Sequence, residues 1–462
     1  MMLALALLAI TAPLHIHVDA ALFPNATHHL ACLSGRLPCT QSSFEKFWHE
    51  EMHWDPADQA ALDRWNETMK TIVARQPQPQ QMPFLANFTN WYPEVVVVKK
   101  LIAAGLAASS EADFRKKAAG LALPGEIAGL SASLGHFNKR LEPWWKETGR
   151  AYGESQRKAV EAQLKKLKAD ELASGVATFF EAELPVRDFY MHLIPRSDRA
   201  SKDATATFAR NHMVVELTDE MKPEGTVSII LHEMTHALYE LAPIAKQRQL
   251  IRDFADSPVP EAQALYAMMN EGLATAVQLD ADQRAGLHDN DPYHHPFIPR
   301  IGQANAGPLA EAMKRGTTLF SGYLGTYLRV SAEELGPELQ SPRFLLTSGI
   351  MADFGEIKPA VAAFRENFPM LGAASFGDRL TFPELNIAYL MTYDKSGVVL
   401  ESWPVIASYR EQYRGFAFTA SRGNKGRIYV LAGRDEATVT ELVRKLGEIR
   451  EATPEGLILG LN

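Results

Sequence analysis

The sequence predicts an α+β protein, mostly helical, with a small mixed sheet that leads into one buried helix. Three observations carry that expectation. Long stretches, above all Gln156–Leu184, are rich in strong helix formers with an apolar stripe. After Pro185 the texture changes: 186–194 (VRDFYMHLI) and 205–217 (TATFARNHMVVEL) carry β-branched and aromatic residues in strand-like runs. Directly downstream, Thr226–Glu240 (TVSIILHEMTHALYE) returns to helical periodicity.

Length and composition bound the rest. The 462 residues can hold two or three domains around a large core, and 46% hydrophobic with 22% charged residues is ordinary for a globular chain. A net charge of −8 without a Lys/Arg cluster argues against nucleic acid as a partner. No later span has the unbroken apolar length of a membrane helix, so no stable membrane span is expected once a signal is removed. The N-terminus differs. Met2–Ala12 (MLALALLAITA) is an apolar run of export-signal length, followed by small residues suited to cleavage near Ala20, although no Lys or Arg precedes it. The chain is therefore expected to be exported, periplasmic or secreted. Cys32 and Cys39, its two cysteines, lie seven apart across a loop and are expected to form a local disulfide.

Taken in order, the expected divisions are a signal peptide at 1–20, a helical region at 21–184, a catalytic core at 185–290, a second helical region at 291–414 and a hairpin–helix element at 415–462. The second strand-like run, 205–217, is a candidate edge strand whose free backbone groups could pair with an extended ligand. Asp282–Ile301, with His294 and His295, reads as loop, and helices follow, including Pro308–Leu335. From Phe416 the order becomes strand, turn, strand, helix, with RGNKG as a hairpin turn.

The chemistry concentrates in two stretches. On a helix at roughly 100° per residue, Val227, Ile230, Leu231, Met234, Leu238 and Leu241 fall on one side, and His232, Glu233, His236 and Glu240 on the other. Between Gly225 and Tyr239 the only formally charged residue is Glu233, so both sides read as buried. Two imidazoles one turn apart have the spacing to grip one Zn²⁺, with Glu233 beside them to take a proton from water. The alternative is a pair of core histidines bonded to carbonyls. A second charge-poor helix, Glu261–Asp280, carries Glu271 as its single charged side chain from Ala262 through Leu279, which makes Glu271 the natural third ligand. Gly272 beside it would let the two helices approach closely.

HEMTH at 232–236 followed by NEGLAT at 270–275 resembles the gluzincin metallopeptidases, zinc enzymes whose third ligand is a glutamate on a second helix. The resemblance covers these two short stretches and the order of strands before helix. It implies a zincin-like core, one Zn²⁺ held by His232, His236 and Glu271, Glu233 as catalytic base, and a peptide or protein substrate. Tyr239 and Ala242 stand where the metzincins need Gly and His. Thr275 replaces the acid that thermolysin-like enzymes place four residues after the ligand, and no G-x-M-E-N motif occurs. A further electrophile for the oxyanion is expected, with Tyr323, Tyr327, Tyr389 and Tyr393 as candidates. A zinc hydrolase of another amide and a non-catalytic binding module on the same fold are the competing functional readings.

Overall fold

A computed structural model describes residues 13–77, 92–184, 187–285, 295–354, 357–369, 375–376, 386–421 and 426–462. The chain is mostly helical with two small mixed sheets. In the first sheet, β1 (His15–Asp19), β2 (Asp188–Pro195) and β4 (His212–Leu217) run parallel, and β3 (Ala206–Ala209) pairs antiparallel to β4, giving the order β1-β2-β4-β3. The single run expected over 205–217 is thus a hairpin. It turns at Arg210, held at a φ of 60°, and at Asn211, whose side chain donates to the Asp188 carbonyl. β3 is the edge of this sheet.

β1 lies inside the segment 1–20 that the sequence assigns to a signal peptide. Leu14 is fully buried and its amide donates to Ser174 Oγ at 2.7 Å, while Ile16 N donates to Asp170 at 3.1 Å. Cleavage near Ala20 would strip the whole strand from β2 and expose its ladder. Leu14 and β1 thus pack with the first sheet.

Past β1, a helix at Leu22–Leu33 leads to Cys32 and Cys39, which are disulfide-bonded. Helices at Pro56–Ala74, Pro93–Leu106 and Pro124–Trp144 close around a separate apolar core containing Trp48, Trp65, Leu130 and Phe137. His136, which stands out in the sequence, hydrogen-bonds Asp58 at 2.7 Å, and Trp145 is buried.

The stretch from β4 to Ala285 builds the site. Pro223 opens the motif helix, Pro223–Glu240, at a position where its missing N–H costs nothing. Val227, Ile230, Leu231, Met234 and Leu238 are fully buried, and His232 and His236 on the opposite side are nearly so. The helix packs against β3 and β4, the helix Ala262–Ala285, and the helices Arg150–Lys166 and Ala169–Phe179. Pro243 ends that run, and Ile244–Ala255 forms the next helix. Gly272 does serve close packing, but against a different neighbour than expected: a Cβ there would stand 2.6 Å from Ile301 Cγ2, on the helix Ile298–Lys314.

The C-terminal part departs most from expectation. Helices at Ile298–Lys314 and Tyr323–Leu335 are present, but the region read as helical also contains β5 (Ile350–Asp353), β6 (Ser375–Phe376) and β7 (Ile387–Thr392). These join β8 (Gly415–Ser421), β9 (Arg427–Gly433) and the unforeseen β10 (Gly456–Leu461) in a six-stranded sheet of order β10-β8-β9-β7-β5-β6. The hairpin at 415–462 is therefore half of a sheet and not an appendage; its RGNKG turn falls largely outside the described residues, as does His294. Among the described residues, no helix is long and apolar enough to cross a membrane.

Candidate metal centre

Helical geometry puts His232 and His236 one turn apart on the buried side of the motif helix, and their Nε2 atoms lie 3.0 Å from each other. The crossing helix delivers Glu271, whose Oε2 stands 3.3 Å from each Nε2. Both 3.3 Å separations exceed the ~2.7–2.9 Å of a charge-assisted hydrogen bond. In a tetrahedral zinc site with bonds of about 2.0–2.1 Å, neighbouring donor atoms stand about 3.3 Å apart, so the triangle of 3.0, 3.3 and 3.3 Å has the size that such an ion needs. Glu233 sits within the same cluster: a ligand atom from each of His232, Glu233 and His236 lies within 4.8 Å of the others, and this buried group could hold a metal ion. Glu271 Oε2, 3.3 Å from each imidazole Nε2, adds a second acid beside this group.

The ring of His232 is fixed from behind. Its Nδ1 lies 3.0 Å from Gln278 Oε1, Gln278 Nε2 donates to Ser228 Oγ at 3.0 Å, and Ser228 Oγ donates to Asp282 Oδ2 at 3.0 Å. All three partners are buried. Because an amide oxygen only accepts, Nδ1 must carry the proton, and the lone pair of Nε2 then points into the cluster. None of these three was singled out from sequence. Their signal was spacing: Ser228 is one turn before His232, while Gln278 and Asp282 follow Glu271 by seven and eleven residues on its helix face.

Burial sets the protonation. It pushes the Glu233 carboxyl up to about 7, with His236 opposing and Glu271 adding to the rise. His236 is raised to about 9, since Glu271 beside it, with Glu233, outweighs the burial that opposes its charge. Glu271 falls well below the carboxylate range: burial opposes this, and His236 and His232 prevail. His232 is lowered, chiefly by burial.

The tyrosine candidates are not brought here. Tyr323 OH donates to Asn305 Oδ1 at 3.0 Å, Tyr327 OH to the Leu265 carbonyl at 2.9 Å and Tyr393 OH to the Tyr413 carbonyl at 2.7 Å. Tyr389 is fully buried in the core of the second sheet. His295 is likewise committed, its Nδ1 accepting from the amides of Phe297 and Ile298 at the start of a helix. Two other groups border the motif helix. Glu240, at its end, pairs with Lys99, and Lys99 lies 4.6 Å over the ring of Phe208 on β3.

Comparison of the chain with protein-family models, curated proteins and solved structures finds no match.

Proposed function

We propose that the chain is an exported zinc metallopeptidase of the gluzincin kind, with a zincin-like core formed by the first sheet and the motif helix. The observation that carries this reading is the convergence of His232 Nε2, His236 Nε2 and Glu271 Oε2 beside Glu233. These donors fit Zn²⁺, with His232, His236 and Glu271 as ligands. Bound there, the ion supplies Lewis acidity toward a carbonyl and toward water.

The chain's own residues do the remainder. Glu233, buried and poised near neutrality, takes the proton of the attacking water and passes it to the leaving nitrogen. Gln278 keeps His232 in one tautomer and orientation. The outer edge of β3 offers backbone groups on which an extended peptide can lie, next to the motif helix. The disulfide is compatible with an oxidising compartment. Removal of a signal upstream of Leu14 would keep β1 in place.

The test compares wild type and Glu233→Gln for bound zinc and for cleavage of a peptide mixture. The expected result is one zinc per chain in both and a loss of about 10²–10⁴ in rate for the variant. Wild type that takes up no zinc, or a variant as active as wild type, contradicts the proposal.

A further inference from the structure

A second polar cavity lies away from the metal centre. It has a volume of about 520 Å³, and its walls include Asp256, Ser257, Glu261, Asn386, Arg427 and Glu455. Glu261 precedes Glu271 by ten residues, about 15 Å along a helix at 1.5 Å per residue, so the cavity is a separate place. It forms where the loop before the helix Ala262–Ala285 meets the ends of β7, β8 and β9.

Three features of its wall lack partners that the protein could have supplied. Glu261 is held at a φ of 57°, a conformation that costs a non-glycine residue free energy and recurs at ligand sites. Its half-buried carboxylate has no hydrogen bond or ion pair among the described residues, and burial raises its pKa while Arg427 lowers it. Asn386 is fully buried; its Oδ1 accepts from Arg427 N at 3.0 Å, which fixes the amide, and its Nδ2 has no partner. The Arg427 guanidinium donates through Nη1 to the Thr453 carbonyl at 2.7 Å and makes no ion pair among the described residues. Among the described residues, an acid without a cation and a guanidinium without an anion therefore face one cavity, near enough to feel each other and not joined.

We propose that this cavity binds a small zwitterion, a free α-amino acid or a short peptide, with its ammonium group on Glu261 and its carboxylate on Arg427. The matching is by charge type at both ends. A plain cation would leave Arg427 unmet, and a plain anion would leave Glu261 unmet. The site stands independently of the metal reading.

The test titrates full-length protein carrying Glu271→Gln, which silences the metal centre, with alanine and alanyl-alanine, followed by protein-observed NMR or calorimetry. Expected is saturable binding that is weakened at least about tenfold by acetylating the amine, by amidating the carboxylate, and by Glu261→Gln or Arg427→Gln, each about 1.4 kcal/mol or more. Thermal unfolding checks that the variants fold. No saturable binding of either probe, or binding that Glu261→Gln and Arg427→Gln leave unchanged, overturns the proposal.

Discussion

Two clusters in this protein are built from the same parts, two buried imidazoles and one carboxylate, and they are arranged for opposite ends. In the first sheet, Asp19 Oδ1 lies 3.0 Å from His192 Nδ1, and His192 Nε2 lies 3.0 Å from His212 Nδ1. Each atom there meets one neighbour, so donors and acceptors alternate along a line, and the chain of hydrogen bonds is complete in itself. Burial, with His192 and Lys117 nearby, lowers His212 to about 2, which keeps that ring neutral. At the metal centre, His232, His236 and Glu271 instead direct three atoms at one point, and no arrangement of protons on two imidazoles satisfies all three contacts as hydrogen bonds. Residue types alone do not separate these two clusters. The topology of their contacts does.

The largest effect that sharpens this contrast comes from removing a donor on each side. His236→Ala should lower zinc affinity by at least about 100-fold, whereas His212→Ala should leave zinc content at wild-type level and cost about 1–3 kcal/mol of stability through the unmet His192 nitrogen. Metal analysis and denaturant unfolding of both variants read the two outcomes. If His212→Ala also emptied the centre, the separation of the clusters would be wrong.

Next in size is the support behind His232. Gln278→Leu should reduce zinc affinity about 10–100-fold, because the ring loses the acceptor that fixes its tautomer, and Ser228→Ala should have a smaller effect in the same direction. Competition with a zinc-binding dye measures both.

The pH dependence is smaller per unit. With His236 raised to about 9, the metal-free protein holds a proton on that ring at neutral pH, and zinc must displace it. Affinity should therefore rise about tenfold per pH unit up to about 9 and level off above it. The sign for folding is consistent: stability contributed by a raised His236 is present below about 6.5 and is lost as pH rises through about 9. A zinc affinity flat from pH 6 to 9 would contradict the assignment of that proton.

The smallest expected effect concerns the N-terminus. Sequencing of the mature protein should place its first residue upstream of Leu14, since Leu14 and β1 are part of the first sheet's packing. A mature chain that starts at Ala21 and unfolds with unchanged stability would show that β1 is dispensable.

Much of the centre was legible in sequence because its signals are local. The motif helix was expected over 226–240 and spans Pro223–Glu240; the acid helix was expected over 261–280 and spans Ala262–Ala285. Turn-spaced residues on a charge-poor helix announce their common face. What escaped depends on register between distant segments. His192 and His212 become neighbours only because Tyr190 pairs with His212 across parallel strands. β5 and β7 are short, apolar on both faces and joined in parallel, so they lack the alternation that marks a half-exposed strand. β1 was hidden for another reason: HIHVD follows an apolar run that resembles an export signal, and export composition says nothing about which residues a sheet retains. The same limit applies to Gly272, where the sequence showed a need for close approach but not that Ile301 would be the neighbour.

The central claim is that three donors from two helices form one metal centre. Metal analysis of Glu271→Gln against wild type, each equilibrated with excess zinc and then desalted, tests it most directly. The account predicts one zinc per chain in wild type and loss of nearly all of it in the variant, with helical content unchanged. Equal zinc in both proteins, or none in wild type, would contradict it.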